Sequence, residues 1–495
     1  MGRHTEHHAR EVELSNTPDV VVVGSGPNGL AAAVTMARAG LHVVVYEQAA
    51  QPGGGARTSE ATLPGFAHDI CSAVHPMALA SPFFTAFELA KRVSLVSPEL
   101  SYAHITPTET GLAYRDLERT VEQLGIDGRR WRDMMQPLVR NIDALSNLTA
   151  EHLLRVPPEL GFALSFGLAV FRQAAGTAHG FHGEIAPALL AGLGAHAIQP
   201  VPSLAAAAVG LTLGAHAHAG GWPIPIGGSQ AITDALVQDL HQHGGELVLE
   251  TRVDTLDEFS TVPCVLLDTS VRQFMSMASG QLQGFYRRQL ASFKYGPGVA
   301  KVDYALSGPV PWTHPELSGA GTIHIGGTAT HVGIAEREIA RGRHAEEPFI
   351  LISQPTRFDP GRAPTGSHTL YAYAHVPAGS NLDQFSTITD TIERYAPGFR
   401  DLILAHSSQT ARDIARYNPN YVGGDISGGA ATMRQLIQRP VLSLNPWATP
   451  IPGTYLCSSA TPPGPGVHGL GGWNAARRAL RDVFALDAPD LGLAG

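Results

Sequence analysis

The sequence predicts an α/β protein in which a parallel-sheet unit is interleaved with an α+β unit of antiparallel strands and apolar helices. Three observations lead there. Val20 to Val23 runs into a glycine-rich turn, an Ala-rich helical stretch and a second apolar run that stops at Glu47. Two further short strands, Val265 to Ser270 and Thr454 to Cys457, follow far downstream. Between them, Val299 to Leu306, Thr322 to Ile325 and Thr369 to Val376 alternate apolar and polar residues, as strands of a half-covered sheet do.

The chain of 495 residues is 44% hydrophobic, enough for two domains and a large core. Only 16% of residues are charged, so part of the surface or an internal cavity must be apolar. A formal net charge of −9 and the lack of a basic run with interleaved aromatics argue against nucleic acid as a partner. Cys71, Cys264 and Cys457 lie far apart, with neither C-x-x-C nor metal-ligand spacing, which points to a reducing compartment. Residues 1–17 are polar and read as a disordered tail, neither a signal peptide nor a membrane span. The expected location is cytoplasmic, with association to a membrane surface left open.

The first element explains itself physically. The Val run suits a strand buried on both faces. In Gly24-Ser25-Gly26-Pro27-Asn28-Gly29, Gly24 permits a tight turn, Gly26 lets backbone approach a pyrophosphate, and Gly29 lets helix and strand pack closely. Leu30 to Ala39 is a good helix former whose N-terminus offers N–H groups to phosphates. Glu47 falls eighteen residues after Gly29, where an acid can accept hydrogen bonds from a ribose. Strand, turn, helix, second strand and terminal acid together read as a Rossmann-like dinucleotide site.

Directly after Glu47 comes Gln51-Pro52-Gly53-Gly54-Gly55-Ala56-Arg57-Thr58. Consecutive glycines expose backbone N–H groups. Glu, five residues, a Gly pair and a nearby Thr resemble the flavin-binding start shared by phytoene desaturases, carotenoid isomerases, retinol saturases and monoamine oxidases. Pro64 to Asp69 is similar to the strand that follows in that group. Desaturases and amine oxidases usually carry Arg immediately after the Gly pair; Gly55 stands there, and Arg57 comes two places later. The pattern is closer to the retinol saturase and carotenoid isomerase branch.

Gly128 to Ala150 has Trp131, Met134, Met135, Leu138 and Ile142 at helical spacing and reads as a core-facing helix. Between Leu160 and Thr233 the only charged side chains are Arg172 and Glu184. Buried helices, a lipophilic tunnel or a membrane-surface contact each fit that composition. A helix follows Gly227-Gly228-Ser229-Gln230, and Glu246 to Val253 reads as a strand. By resemblance to the family's second flavin segment, Val253 meets the adenine. Only Asp254 to Cys264 separates this strand from the next, so the hairpin most relatives carry there is lost.

After Thr454 to Cys457, the run from Pro462 to Gly472 opens a helix at about Trp473. It matches the family's C-terminal flavin signature. The resemblance implies a glutathione-reductase-type FAD domain from residues 18–90, 226–295 and 445–488, and a substrate domain from 91–225 and 296–444. It implies non-covalent FAD held by Gly24, Gly26, Pro27, Asn28, Gly29, Glu47, Gly53, Gly54, Arg57, Thr58, Val253, Gly471, Gly472 and Trp473. A helix N-terminus there would stabilise the charge of a reduced flavin.

Twenty-three histidines invite a metal reading, but His179/His182, His216/His218 and His241/His243 lack a carboxylate or Cys at ligand spacing, so no metal is expected. No G-x-S-x-G and no C-x-x-x-x-C are present, and Gly319-Ala320-Gly321, the candidate for a second nucleotide site, has His324 where the third Gly belongs. His468, Trp222 and His196 could each face the flavin, and His468 is the candidate for proton transfer. The expected activity is hydride transfer at C–C bonds of a lipophilic small molecule, as desaturase, saturase or isomerase. A flavin amine oxidase and a non-catalytic FAD-bound partner-binding protein are the alternatives. The sequence leaves the oligomeric state open.

Overall fold

A computed structural model describes residues 17–176 and 180–493. The tail expected at residues 1–17 lies outside them except for Thr17, as does His179. The parallel sheet has the strand order Thr454–Leu456, Cys264–Leu267, Val20–Val23, Val43–Tyr46, Glu246–Val248, and every pairing is parallel. Val20 and Val22 enter a core with Leu30, Val34 and Ala475, while Val21 and Val23 enter another with Val271 and Phe274. A strand buried on both faces has no polar positions to alternate with, hence the valine run.

Two expected elements are shorter than the sequence suggested. The strand read over Glu246 to Val253 ends at Val248. Beyond it the chain wraps the Glu47 loop, with Glu250 N–H donating to the Ala49 carbonyl and Thr251 N–H to that of Glu47. Glu250 takes a φ of +54° to do so. The helix read over Gly128 to Ala150 is two helices, Gly128–Arg140 and Ile142–Thr149, parted at Asn141 where φ and ψ leave the helical region.

The second sheet has seven strands in the order Ile403–Gln409, Gly298–Leu306, His368–Val376, Ile350–Ser353, Ala320–Ile325, Leu100–Ile105, Thr110–Tyr114. It is antiparallel except where Ala320–Ile325 runs parallel to Leu100–Ile105. Ala103, Ile323, Ile352, Ala372 and Val302 line up on one face, packed against the helix Phe385–Tyr395. His104, His324, Leu351, Tyr373 and Lys301 line up on the other. Helix Ile185–Ala195 packs on the His104 end of this sheet, with Leu204–Ala219 beside it and Leu160–Ala175 outermost. Ile185–Ala195 is buried from Ala186 onward, whereas Leu160–Ala175 buries only Phe166 and Val170.

Candidate functional site

A cavity of about 840 Å³ runs from the Gly24–Asn28 turn, past Glu47 and the Gly466–His468 loop, to the helices Leu160–Ala175 and Leu204–Ala219. Its polar end is built by the parallel sheet. Gly24 takes a φ of +98°, and a side chain there would meet the Asp268 carbonyl at 2.8 Å. Only glycine fits such a turn. Gly29 lies against the Gly24 carbonyl, which no side chain would allow. Glu47 Oε2 accepts from Ser25 N–H at 2.9 Å and from Ser25 Oγ–H at 2.7 Å; Oε1 accepts from Ala49 N–H and faces Arg57 at 3.3 Å. The carboxylate is thus held at the end of its strand, beside the turn.

Asp268, at the end of Cys264–Leu267, places Oδ2 3.0 Å from Gly29 N–H, beneath the same turn. Burial pushes its carboxyl up to about 7, Glu47's charge adds to that, and the N–H groups of Gly29 and Gly26 oppose it. Sequence reasoning missed this residue, although it lies in a strand already assigned to the sheet.

Of the residues expected to bind a cofactor, Gly24, Gly26, Pro27, Asn28, Glu47, Gly54, Arg57 and Val253 line the cavity, as does His468. Gly29, Gly53, Thr58, Gly471, Gly472 and Trp473 do not; they stand behind it. Gly53 N–H donates to the Ser25 carbonyl, and Thr58 Oγ1 donates to Asp69 at 2.7 Å. Gly471 N–H donates to Asn28 Oδ1 at 3.1 Å, and Gly472 lies against the Asn28 carbonyl. Trp473 packs on Phe83, with Arg477 over its ring. The start of helix Leu470–Ala479 therefore docks on helix Pro27–Arg38, and the cavity meets the loop before it.

His468 has both ring nitrogens committed to its own loop. Leu470 N–H donates to Nδ1 at 3.0 Å, which leaves the proton on Nε2, 3.2 Å from the Gly464 carbonyl. Burial lowers its pKa to about 4. This is a neutral histidine that holds a turn.

The charged residues of the cavity wall are Glu47, Arg57, Glu151, Arg252 and Asp268. Arg57 Nε is buried without a partner. Away from the turn the lining is apolar and aromatic. Tyr371 and Tyr373 stand in the wall, while Tyr417, under Arg57 with its hydroxyl donating to the Gly54 carbonyl, and Tyr421, against Gly55, stand at the glycine run; none was singled out from sequence, and the Tyr371/Tyr373 spacing on one face of a strand was the available signal. Among the described residues no group of His, Cys, Asp and Glu could hold a metal ion. Cys457 is buried and does not line the cavity.

A family model described as NAD(P)-binding Rossmann-like domain matches residues 22–88. The chain is 27% identical to the rat (Rattus norvegicus) pyridine nucleotide-disulfide oxidoreductase domain-containing protein 2, over 94% of either chain. It is 24% identical to the lycopene-forming phytoene desaturase of Pantoea ananas, over 93% of this chain and 98% of that one. In fold it is similar to a putrescine oxidase bound to putrescine, with a TM-score of 0.60, 18% identity and coverage of 95% of this chain and 99% of that one. With the glycine turn, its acid and the two interleaved sheets on the same chain, these likenesses give it a Rossmann-like fold and support an oxidoreductase similar to the phytoene desaturases and the flavin amine oxidases.

Proposed function

We propose that the protein binds FAD and transfers hydride between the flavin and a C–C bond of a lipophilic small molecule. The observation that carries this reading is the single continuous cavity, charged beside the dinucleotide turn and, Glu151 apart, largely apolar and aromatic beyond it. Glu47 is placed to accept from a ribose, the Gly24–Asn28 turn to face phosphates, and the unpartnered Arg57 Nε to meet a polar atom of the bound group. Bound there, the flavin supplies two-electron chemistry that no side chain offers. The protein's own share is to orient the reacting bond and exclude water.

The substrate enters from a lipid surface in this reading. Leu153, Phe171 and Leu204 line the cavity and are also 46%, 65% and 39% exposed, so its mouth is apolar. Leu160, Leu164 and Leu168 continue from Phe171 as an exposed stripe at helical spacing. No helix among the described residues is long and apolar enough to cross a membrane, so such contact is interfacial.

A second reading, amine oxidation, is favoured by Tyr371, Tyr373, Tyr417 and Tyr421 in the cavity wall, which could flank an amine. Anaerobic mixing separates the two. Purified protein is expected to be yellow, to release FAD on acid precipitation, and to bleach with a C40 polyene in detergent micelles. Bleaching by putrescine or benzylamine alone would favour the amine oxidase. A colourless protein that takes up no FAD would overturn both.

A further inference from the structure

The second sheet carries a group of buried histidines that the dinucleotide turn does not use. His104 and His324 are register partners on adjacent strands, so both side chains leave the same face. His196, just after helix Ile185–Ala195, lies in the cavity wall beside Trp222, with ring centroids 5.6 Å apart. Its Nε2 is 2.9 Å from His324 Nε2. Two neutral imidazole nitrogens at that distance share one proton.

Neighbouring contacts decide which ring owns it. His104 Nε2 is 2.8 Å from the Gly327 carbonyl, which can only accept, so His104 carries its proton on Nε2 and a lone pair on Nδ1. A methyl group at Gly192 would sit 2.6 Å from His104 Nδ1 and 2.7 Å from His324 Nδ1, so the two nitrogens flank one point. Both are buried without a hydrogen-bond partner. A proton on His324 Nδ1 faces the His104 lone pair there, whereas the other tautomer sets two lone pairs against each other. With that proton on Nδ1, His324 accepts at Nε2 and His196 donates. His196 Nδ1 is then a bare lone pair in the cavity wall, with no hydrogen-bond partner among the described residues.

Burial lowers the pKa of His104 to about 4 and of His196 to about 3, and holds His324 well below the usual range, so all three are neutral near pH 7. The other titratable groups close by are Tyr102, whose ring centroid is 5.7 Å from that of His324, and His375 and Glu336, joined at 2.6 Å.

We propose that His196 accepts the substrate's proton in the reaction, and that His324, with the His104 lone pair on its other side, takes up the Nε2 proton that His196 then gives up. This rests on the hydride-transfer reading above. In a desaturation one C–H bond breaks with its electron pair, which leaves as hydride for the flavin. The adjacent C–H bond gives its proton to His196 Nδ1, and its electron pair becomes the second bond of C=C. The Nε2 proton of His196 moves to His324 Nε2 along the hydrogen bond they share, and the His104 Nδ1 lone pair faces the charge His324 then carries. A saturation runs the same transfers in reverse.

The first test needs neither cofactor nor substrate. In protein labelled with ¹⁵N-histidine, the His196 signals are identified by their loss in His196→Gln. They should report the Nε2–H tautomer, neutral from pH 8 down to pH 5. An Nδ1–H tautomer, or a charged ring at pH 7, overturns the proposal. The second test follows anaerobic flavin reduction by the C40 polyene. His196→Gln should slow it about a hundredfold or more with FAD affinity unchanged. Gly192→Ala, which fills the point between His104 Nδ1 and His324 Nδ1, should slow it about tenfold and shift its pH profile. Reduction at the wild-type rate in His196→Gln overturns the proposal even if the tautomer is as expected. If the wild-type flavin is not reduced at all while the tautomer is as expected, the hydride-transfer reading is what has failed, and His196 loses this role with it.

Discussion

Glu47 and Asp268 meet at one turn, yet only the first was legible in the sequence. Glu47 follows its glycines at a fixed distance along one βαβ unit, so spacing alone locates it. Asp268 reaches Gly29 from 239 residues away, and no local pattern marks that approach. Its buried carboxyl has a consequence for stability. The folded-state pKa of about 7 lies above the ordinary 3.8. Its stabilising contribution is therefore complete below about pH 4 and lost as pH rises through about 7. Flavin-free wild-type protein should lose ground to the Asp268→Asn variant over that range. Thermal midpoints at pH 5 and pH 8 check it: the difference between the two proteins should shift in the variant's favour, and a constant difference would refute it.

At the level of elements, the helix Leu470–Ala479 shows where resemblance and geometry part. The motif located the helix, but its glycines serve the contact with helix Pro27–Arg38, since Gly472 lies against the Asn28 carbonyl. Gly472→Ala forces those helices apart and should cost about 1–3 kcal/mol of stability. Denaturant unfolding would measure it, and an unchanged midpoint would contradict the packing described. The parallel sheet was readable because strands buried on both faces are uniformly apolar. The split at Asn141 and the early end at Val248 were not, because tertiary contacts override local periodicity there. The strands Leu100–Ile105 and Thr110–Tyr114 went unread for a related reason: both are almost wholly buried, so neither alternates cleanly.

Across the whole molecule, composition foretold an apolar cavity or surface, and both are present. The outermost helix has one side in the cavity wall and exposes Leu164 and Leu168 at 66% and 49% on the other. A Leu164→Glu, Leu168→Glu variant should stay folded, since neither side chain is buried, and should keep its FAD. It should sediment with phosphatidylcholine vesicles several-fold less than wild type. Equal sedimentation would remove the lipid-surface route while leaving the flavin site untouched. The sheet itself bears on how the chain is made. Val20–Val23 pairs with Cys264–Leu267, and that strand in turn with Thr454–Leu456. A ribosome adding about 5–20 residues per second delivers the first of these neighbours roughly 10–50 s after the valines emerge. For that interval four consecutive valines present an unpaired edge to the cell, which makes the newborn chain a natural client for chaperones and a poor candidate for folding as it is synthesised.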